Sequence, residues 1–400
     1  MYNNYMDIMK EANSLYNQKF QNVDFYSDLL YKKYNAKLEL KIPDENISSA
    51  KIEDLNFDNL DFDFNLVIID GFVSKNNSDS VKVYEPENFA NELLKYKLFD
   101  NSNKYAVYAH AFSKNIIYIE PKEGEKINIS INVDKNPYPI QLIINSSAEK
   151  ATVNVIINSG KSKDTPVQLI MNEVTLGENS NCDLNILQLD GKSDVVNMLK
   201  SKGNRYSSLN LNESYFGNNI TKEEAYLDAA DENASVAVYK TVLGKEDQKF
   251  DIFTDIINRE RLTKCNSTIS AIVSDSSVCY CKDVAEVLES AKNSFSNISQ
   301  KGLINDKTAH LDLMPDMSIK ESYTKAYHSS YSSPIDEGDV FYLLSRGIDR
   351  KQAEYLIKEG FLSSNLKYIK DEKFRNIVIN RIDSILKDKS KIYESVESVR

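Results

Sequence analysis

From about Tyr105 to Ile335 the chain is a succession of short apolar or alternating runs separated by Asn, Asp, Ser and Gly. Ile116–Ile119, Ile127–Val133, Leu142–Ile144, Val153–Ile157, Val167–Met171, Leu184–Leu189, Leu209–Leu211, Val236–Val238, Phe250–Phe253 and Ile269–Ile272 have strand length, and few helical interruptions part them. Such a series fits a sandwich, a barrel or a β-helix. No strict repeat separates these three.

Pro334 closes the series, because a residue without an N–H cannot sit in a central strand. A helix follows it. Asp336 is a good N-cap, Val340, Phe341 and Leu344 recur at helical spacing, and Gly347 is a stop. Asp349 with Gln352 has the form of a capping box, and Ala353, Leu356 and Ile357 stripe a second helix that Gly360 is expected to close. The two make a helix–turn–helix hairpin. After Leu362 a charged link leads to a last helix striped by Phe374, Ile377, Val378, Ile382, Ile385 and Leu386, with Lys387–Arg400 expected to fray.

The N-terminal part is mixed. Tyr5, Ile8, Met9, Ala12, Leu15 and Tyr16 share one face of a helix within residues 2–20, and a second helix is expected over about 24–35. Leu66–Ile69 reads as a strand entering an Asp70-Gly71 hairpin turn before Phe72, and Pro86–Leu94 reads as a helix.

At 400 residues, 41% hydrophobic, the chain can bury a substantial core. It has no run of 18 apolar residues, and its start, MYNNYMDIMKEANSLY, has neither a basic stretch nor an apolar signal core, so a cytoplasmic protein without membrane contact is expected. The net charge of −11 and the lack of a basic stripe argue against nucleic acid as a partner.

Few residues suggest chemistry. Cys279 and Cys281 share one face of a strand and could join Cys265 as soft metal ligands, but without a CxxC pair these thiols, like Cys182, read better as buried core. His110 and His310 read as structural or solvated. Gly160-Lys161-Ser162 and Gly191-Lys192-Ser193 hint at phosphate loops but have Val155 and Ile186 where a Walker A loop needs glycine. Asp58, Asp61 and Asp63 alternate with Leu60, Phe62 and Phe64 as the solvated face of a strand, and Asp247, Asp251 and Asp255 read the same way.

One stretch is more specific. Lys325, Ala326, Tyr327 and His328, then the acidic link Asp336–Glu337, then Phe341-Tyr342-Leu343-Leu344-Ser345-Arg346-Gly347-Ile348 resemble, without a gap, the C-terminal signature of the SufB/SufD family of iron–sulfur cluster assembly proteins. That signature runs Lys-Cys-Ser-His-Gly-Ala-Thr-Val-Gly, a short acidic link, and Phe-Tyr-Leu-x-Ser-Arg-Gly-Ile. Asp70-Gly71, the acidic helix after it and Ala109-His110-Ala111-Phe112 follow the order of the SufD-type N-terminal region. Further family-like landmarks are Ile116–Pro121, Asn172–Gly177, Val242–Asp251 and Ile304–Ile319.

The resemblance implies a mainly β fold: a right-handed parallel β-helix core over 105–333, an N-terminal α/β region over 1–104 and a C-terminal helical domain over 334–400. It implies a non-catalytic, SufD-like subunit that pairs with a SufB-like subunit and docks SufC-like ATPases through Phe341, Tyr342, Arg346, Gly347 and Ile348. His328 matches the histidine that in SufD lies at the SufB–SufD interface near the nascent cluster, which implies an interface or iron-ligand role. The chain departs from the SufB pattern at Tyr327 and Ser329, where glutamates flank the histidine, at Ser299, where an upstream cysteine falls, and at Ala326. The expected cofactor state is therefore none bound stably, with iron or a cluster passing transiently at the partner interface. Two alternatives stand beside it: a SufB-like homodimeric scaffold using Cys265, Cys279 and Cys281, and a β-helix enzyme acting on acidic polysaccharide.

Overall fold

In a computed structural model, which describes residues 4–17, 38, 40–44, 62–189 and 191–397, the short apolar runs become the coils of a β-solenoid of about seven turns. The chain enters it through β1 (Leu66–Ile69) and β2 (Phe72–Asn76), an antiparallel hairpin whose turn residues Asp70 and Gly71 have φ of 48° and 86°. A type I′ two-residue hairpin loop needs both angles positive, which is what Asp-Gly supplies. β3 (Val81–Tyr84) then pairs antiparallel with β4 (Ile116–Ile119).

The solenoid continues through β5 (Lys126–Asn132), β6 (Ile140–Ser146), β7 (Ala151–Asn158), β8 (Gln168–Leu176), β9 (Asn181–Gln188), β10 (Val195–Gly203), β11 (Ser208–Tyr215) and β12 (Ile220–Ala229). Its later coils are β13 (Ser235–Gly244), β14 (Lys249–Asn258), β15 (Lys264–Val273), β16 (Val278–Val287), β17 (Phe295–Ile304), β18 (His310–Ile319) and β19 (Lys325–Ser333). Consecutive strands alternate between two sheets, one ending at β19 and the other at β18, and within each sheet every later pairing is parallel. Ser208 pairs with Ser235, Ser235 with Lys264 and Lys264 with Phe295, steps of 27, 29 and 31 residues. The coil length drifts, which hides the repeat in the sequence.

One corner of the solenoid is held by a column of left-handed residues. Asn179, Tyr206, Asn233, Leu262 and Asn293 all have φ between 55° and 63°. Each donates its N–H to a carbonyl one coil on, at Arg205, Glu232, Arg261, Lys292 and Tyr323 respectively. That conformation is unfavourable for Tyr and Leu, and the bond between coils offsets the strain.

Helices cover both sheets. α1 (Tyr5–Leu15), capped by Asn4, and α2 (Lys104–Phe112) lie against the sheet of even-numbered strands, where Ala12, Tyr105 and Tyr108 join a core with Met171, Met198 and Tyr280. α3 (Glu337–Ser345), α4 (Arg350–Leu366) and α5 (Glu372–Glu397) follow the last coil. From α4 and α5, Leu362, Leu366, Phe374, Val378 and Ile382 pack on Ile156, Leu187, Leu243 and Ile272 of the other sheet.

Some expectations fail locally. Pro86–Leu94 is not one helix but two 3-10 turns, Pro86–Asn88 and Asn91–Tyr96, because Phe89 between them turns inward against Tyr5 and Tyr84. Gly360 does not close α4. Burying Leu362 and Leu366 beyond it is worth about 1.5–3 kcal/mol each, more than the roughly 1 kcal/mol that a helical glycine loses. The last helix runs to Glu397 instead of fraying from Lys387. The second helix expected over 24–35 lies outside the described residues, as do Asp58, Leu60 and Asp61.

Candidate functional site at the last coil and the helical hairpin

The signature residues fall in two neighbouring places. β19 pairs with β17 on one side and forms the edge of its sheet, and β18 forms the edge of the other. In β17 the inward row is Ser296, Ile298 and Gln300, all fully buried. Their partners in β19 are Ala326, His328 and Ser330, so His328 continues the inward row onto a coil with nothing beyond it among the described residues. On β18 the continuing positions are Leu311, Leu313, Pro315 and Met317, and the last three are only half-buried. The lumen of the solenoid opens at this end, and His328 is exposed there.

Ser299 and Ser329 occupy the opposite face of the same sheet, since adjacent strand residues point to opposite sides. Ser329 Oγ donates to Ser299 Oγ at 3.4 Å. The histidine and the position matching the upstream cysteine are thus separated by the sheet. Beside the serines, Tyr327 and Tyr331 are exposed, Tyr327 has its ring 6.1 Å from Phe295, and Lys292 caps exposed Tyr323.

The hairpin forms as its local sequence dictates. Asp336 Oδ1 accepts from Gly338 N at 2.7 Å, Gly347 has φ +85°, and Asp349 Oδ1 accepts from Gln352 N at 2.9 Å. Val340 anchors α3 inward, whereas Phe341 and Tyr342 are 72% and 57% exposed. Phe341 is therefore not hairpin core, and Ile348 is half-buried. Arg346 sits 5.3 Å above the Tyr342 ring, and with Gly347 it is exposed. The five residues expected to dock an ATPase lie at the end of α3 and in the turn after it.

The link between α4 and α5 is tied to the sheet by polar contacts that sequence reasoning missed. Asn365 Nδ2 donates to the Lys240 carbonyl at 2.8 Å, Tyr368 stacks on Tyr239 at 3.7 Å, Lys370 pairs with Asp183 at 2.8 Å, and Asp371 with Lys126 at 3.0 Å. They meet a ladder in which Asn154 donates to Asn128, Asn185 to Asn154, and Asn212 to Asn185. Its trace in the sequence is an Asn once per coil.

The other sequence candidates resolve differently. Cys265 lies on β15, in the other sheet from Cys279 and Cys281, whose sulfurs are 3.5 Å apart on one face of β16 as their spacing predicts. All three are fully buried, and burial raises the Cys265 thiol while Cys279 and burial raise that of Cys281. No group of three His, Cys, Asp or Glu among the described residues is arranged to hold a metal ion. His110 is buried with Nδ1 2.9 Å from Asn101 Oδ1, and burial, then Lys97, holds its pKa well below the ordinary value. His310 is exposed at the start of β18. The two Gly-Lys-Ser turns stack, Lys192 N and Ser193 N donating to Gly160 O and Gly160 N donating to Ser193 Oγ, so these amides are already used.

The solvated-face reading of Asp251 and Asp255 is wrong. Asp251 is buried and bound to Lys222 at 3.1 Å, and burial beside Glu286 and Asp228 pushes Asp255 up to about 7. Asp247 does lie in solvent, paired with Lys163 at 2.8 Å, while Phe62 and Phe64 are buried and Asp63 between them is exposed.

A family profile described as "SUF system FeS cluster assembly, SufBD core domain" matches residues 135–361, more than half of the chain. The chain belongs to the SufBD family. A SufBD family iron–sulfur cluster assembly protein of Pyrococcus horikoshii is 24% identical over 297 residues, 68% of this chain and 63% of that one. The iron–sulfur cluster assembly protein SufD of Escherichia coli is 23% identical over 151 residues, 38% of this chain and 36% of its own length. SufD of Bacillus subtilis is 23% identical over 146 residues, covering 36% and 33%. The chain thus spans less than two thirds of each of these relatives. The SufBD profile begins within the solenoid and ends in α4, so it takes in both the open coil and the hairpin.

Proposed function

We propose that this SufBD chain is a SufD-like, non-catalytic subunit of a cytoplasmic iron–sulfur cluster assembly complex, pairing through its open coil with a SufB-like subunit and offering its hairpin to a SufC-like ATPase. The observation that carries this reading is the end of the solenoid that no described residue caps. Exposing half-buried Leu313, Pro315 and Met317 together with two unpaired strand edges is costly for a lone chain, and a partner that continues the coil removes both penalties. His328 stands in that opening, where a neutral imidazole can meet iron or a cluster as cargo passing between subunits. Exposed Phe341 and Tyr342, flanked by Arg346, have the aromatic and arginine chemistry of interface anchors. Ser299 in place of a cysteine supports the SufD side of the family, because a hydroxyl is a poor substitute for a thiolate.

The test is co-purification with SufB-like and SufC-like proteins. Cutting the chain after Ser333 is not a clean probe, since α4 and α5 bury Ile156, Leu187, Leu243 and Ile272 of one sheet. The exposed pair is better: Phe341→Asp with Tyr342→Asp is expected to lose the ATPase and keep the SufB-like partner, whereas His328→Ala keeps the whole assembly and loses cluster formation. Failure of the intact chain to bind any ATPase refutes the hairpin assignment.

A further inference from the structure

Between β11 and β17 the solenoid lumen contains a cluster of ionisable groups with no part in the proposed function. Glu213, Glu223, Lys240 and Asp283 are each at most 1% exposed. Lys240 Nζ lies 2.6 Å from Glu223 Oε2, 3.4 Å from Glu213 Oε2 and 2.7 Å from Thr254 Oγ1. On β11 the Tyr215 hydroxyl donates to Glu213 Oε1 at 2.9 Å, and from β10 Asn197 Nδ2 reaches the same oxygen at 3.4 Å. From β15, Ser267 donates to Asp283 Oδ2 at 2.9 Å. Cys279 and Cys281 on β16 and Gln300 on β17 complete the surroundings.

Charge and hydrogen bonding both bear on this cluster. Three carboxyl groups face one ammonium, so full ionisation leaves two negative charges in a dry interior, where uncompensated charge is strongly disfavoured. Glu223 Oε1, Asp283 Oδ1 and Gln300 Oε1 also have no hydrogen-bond partner, and Glu213 Oε2 meets only the Lys240 ammonium, at 3.4 Å. All four are acceptors. Two added protons neutralise the cluster, and each turns a carboxyl oxygen from an acceptor into a donor.

We propose that Glu213, Glu223 and Asp283 form a proton-binding site that holds two protons at neutral pH, with the Lys240 ammonium balancing the third carboxylate. The titration directions agree. Burial pushes Glu223 well above the ordinary carboxyl value against the pull of Lys240, and burial likewise raises Asp283. Lys240 stays charged because Glu223, Glu213 and Asp283 outweigh its own burial. A carboxyl whose pKa is raised in the folded state adds stability in full below its unfolded value, and this is lost as pH rises through the folded value. Unfolding these coils near neutrality therefore releases the two protons.

The test is denaturant unfolding of the full chain between about pH 6 and about pH 8, below the range where unfolded cysteine and tyrosine ionise. Wild type is expected to weaken as pH rises. Glu223→Gln with Asp283→Asn, which copies the protonated forms, is expected to lose a pH slope worth about two protons, while the separate contribution of Asp255 cancels in the comparison. Parallel slopes for the two proteins overturn the proposal. Should the double variant not fold, infrared spectra of the folded wild type at about pH 8.5, some four units above an ordinary carboxyl, decide the matter. A protonated carboxylic C=O band supports the site, and its absence refutes it.

Discussion

The buried charges set the strongest expectations at the scale of single residues. Lys240→Met leaves three carboxyl groups without their cation, and breaking a buried pair this way is expected to destabilise the chain by about 3–5 kcal/mol, readable from the denaturant midpoint. Phe341→Ala removes a side chain that is mostly in water and is expected to change stability by no more than about 0.5 kcal/mol. His110 gives a pH dependence of the opposite sign to the lumen cluster. Its folded pKa is depressed, so the unfolded chain takes up a proton below about pH 6.5 that the folded chain refuses, and stability falls as pH drops through that value. His110→Asn is expected to flatten the acid limb of a stability-versus-pH curve measured down to about pH 5. None of these burials can be read from the residue alone. Asp251 and Asp247 sit four apart on the same stretch of sequence, and only the coil stacking puts Lys222 against the first and solvent around the second.

At the scale of elements, the C-terminal hairpin was legible because its ends are written in local chemistry. Pro334, Asp336, Gly347 and Asp349 each act through groups within a few residues, so their effects survive without knowledge of the fold. The extent of α4 was not legible, because the force that carries it past Gly360 is the sheet under Leu362 and Leu366. Gly360 has open space where a Cβ would stand and sits inside that helix, so Gly360→Ala is expected to stabilise the chain by about 1 kcal/mol in thermal or chemical unfolding. β19, with the sequence KAYHSSYSS, illustrates the reverse case: it has almost no apolar pattern and becomes a strand because β17 offers it a parallel edge.

At the scale of the whole molecule, the solenoid leaves one of its ends open, and an open end is a property of no single strand. In the absence of partners the chain is expected to self-associate through this coil at high concentration, and Leu313→Lys with Met317→Lys is expected to shift sedimentation towards the monomer. Read alone, the residues establish that the chain is mainly β, where the series of strands stops and that a capped hairpin follows. Those features rest on short-range physics: missing N–H groups, caps, positive φ and period. Which residues meet across coils of 27, 29 and 31 residues depends on the assembled fold: His328 in line with Ile298 at the open lumen, Ser299 on the other face, and Lys240 among three carboxyl groups. The reason is that a side chain's environment in a solenoid is set by the coils above and below it, and a drifting coil length gives the sequence no fixed period from which to read them.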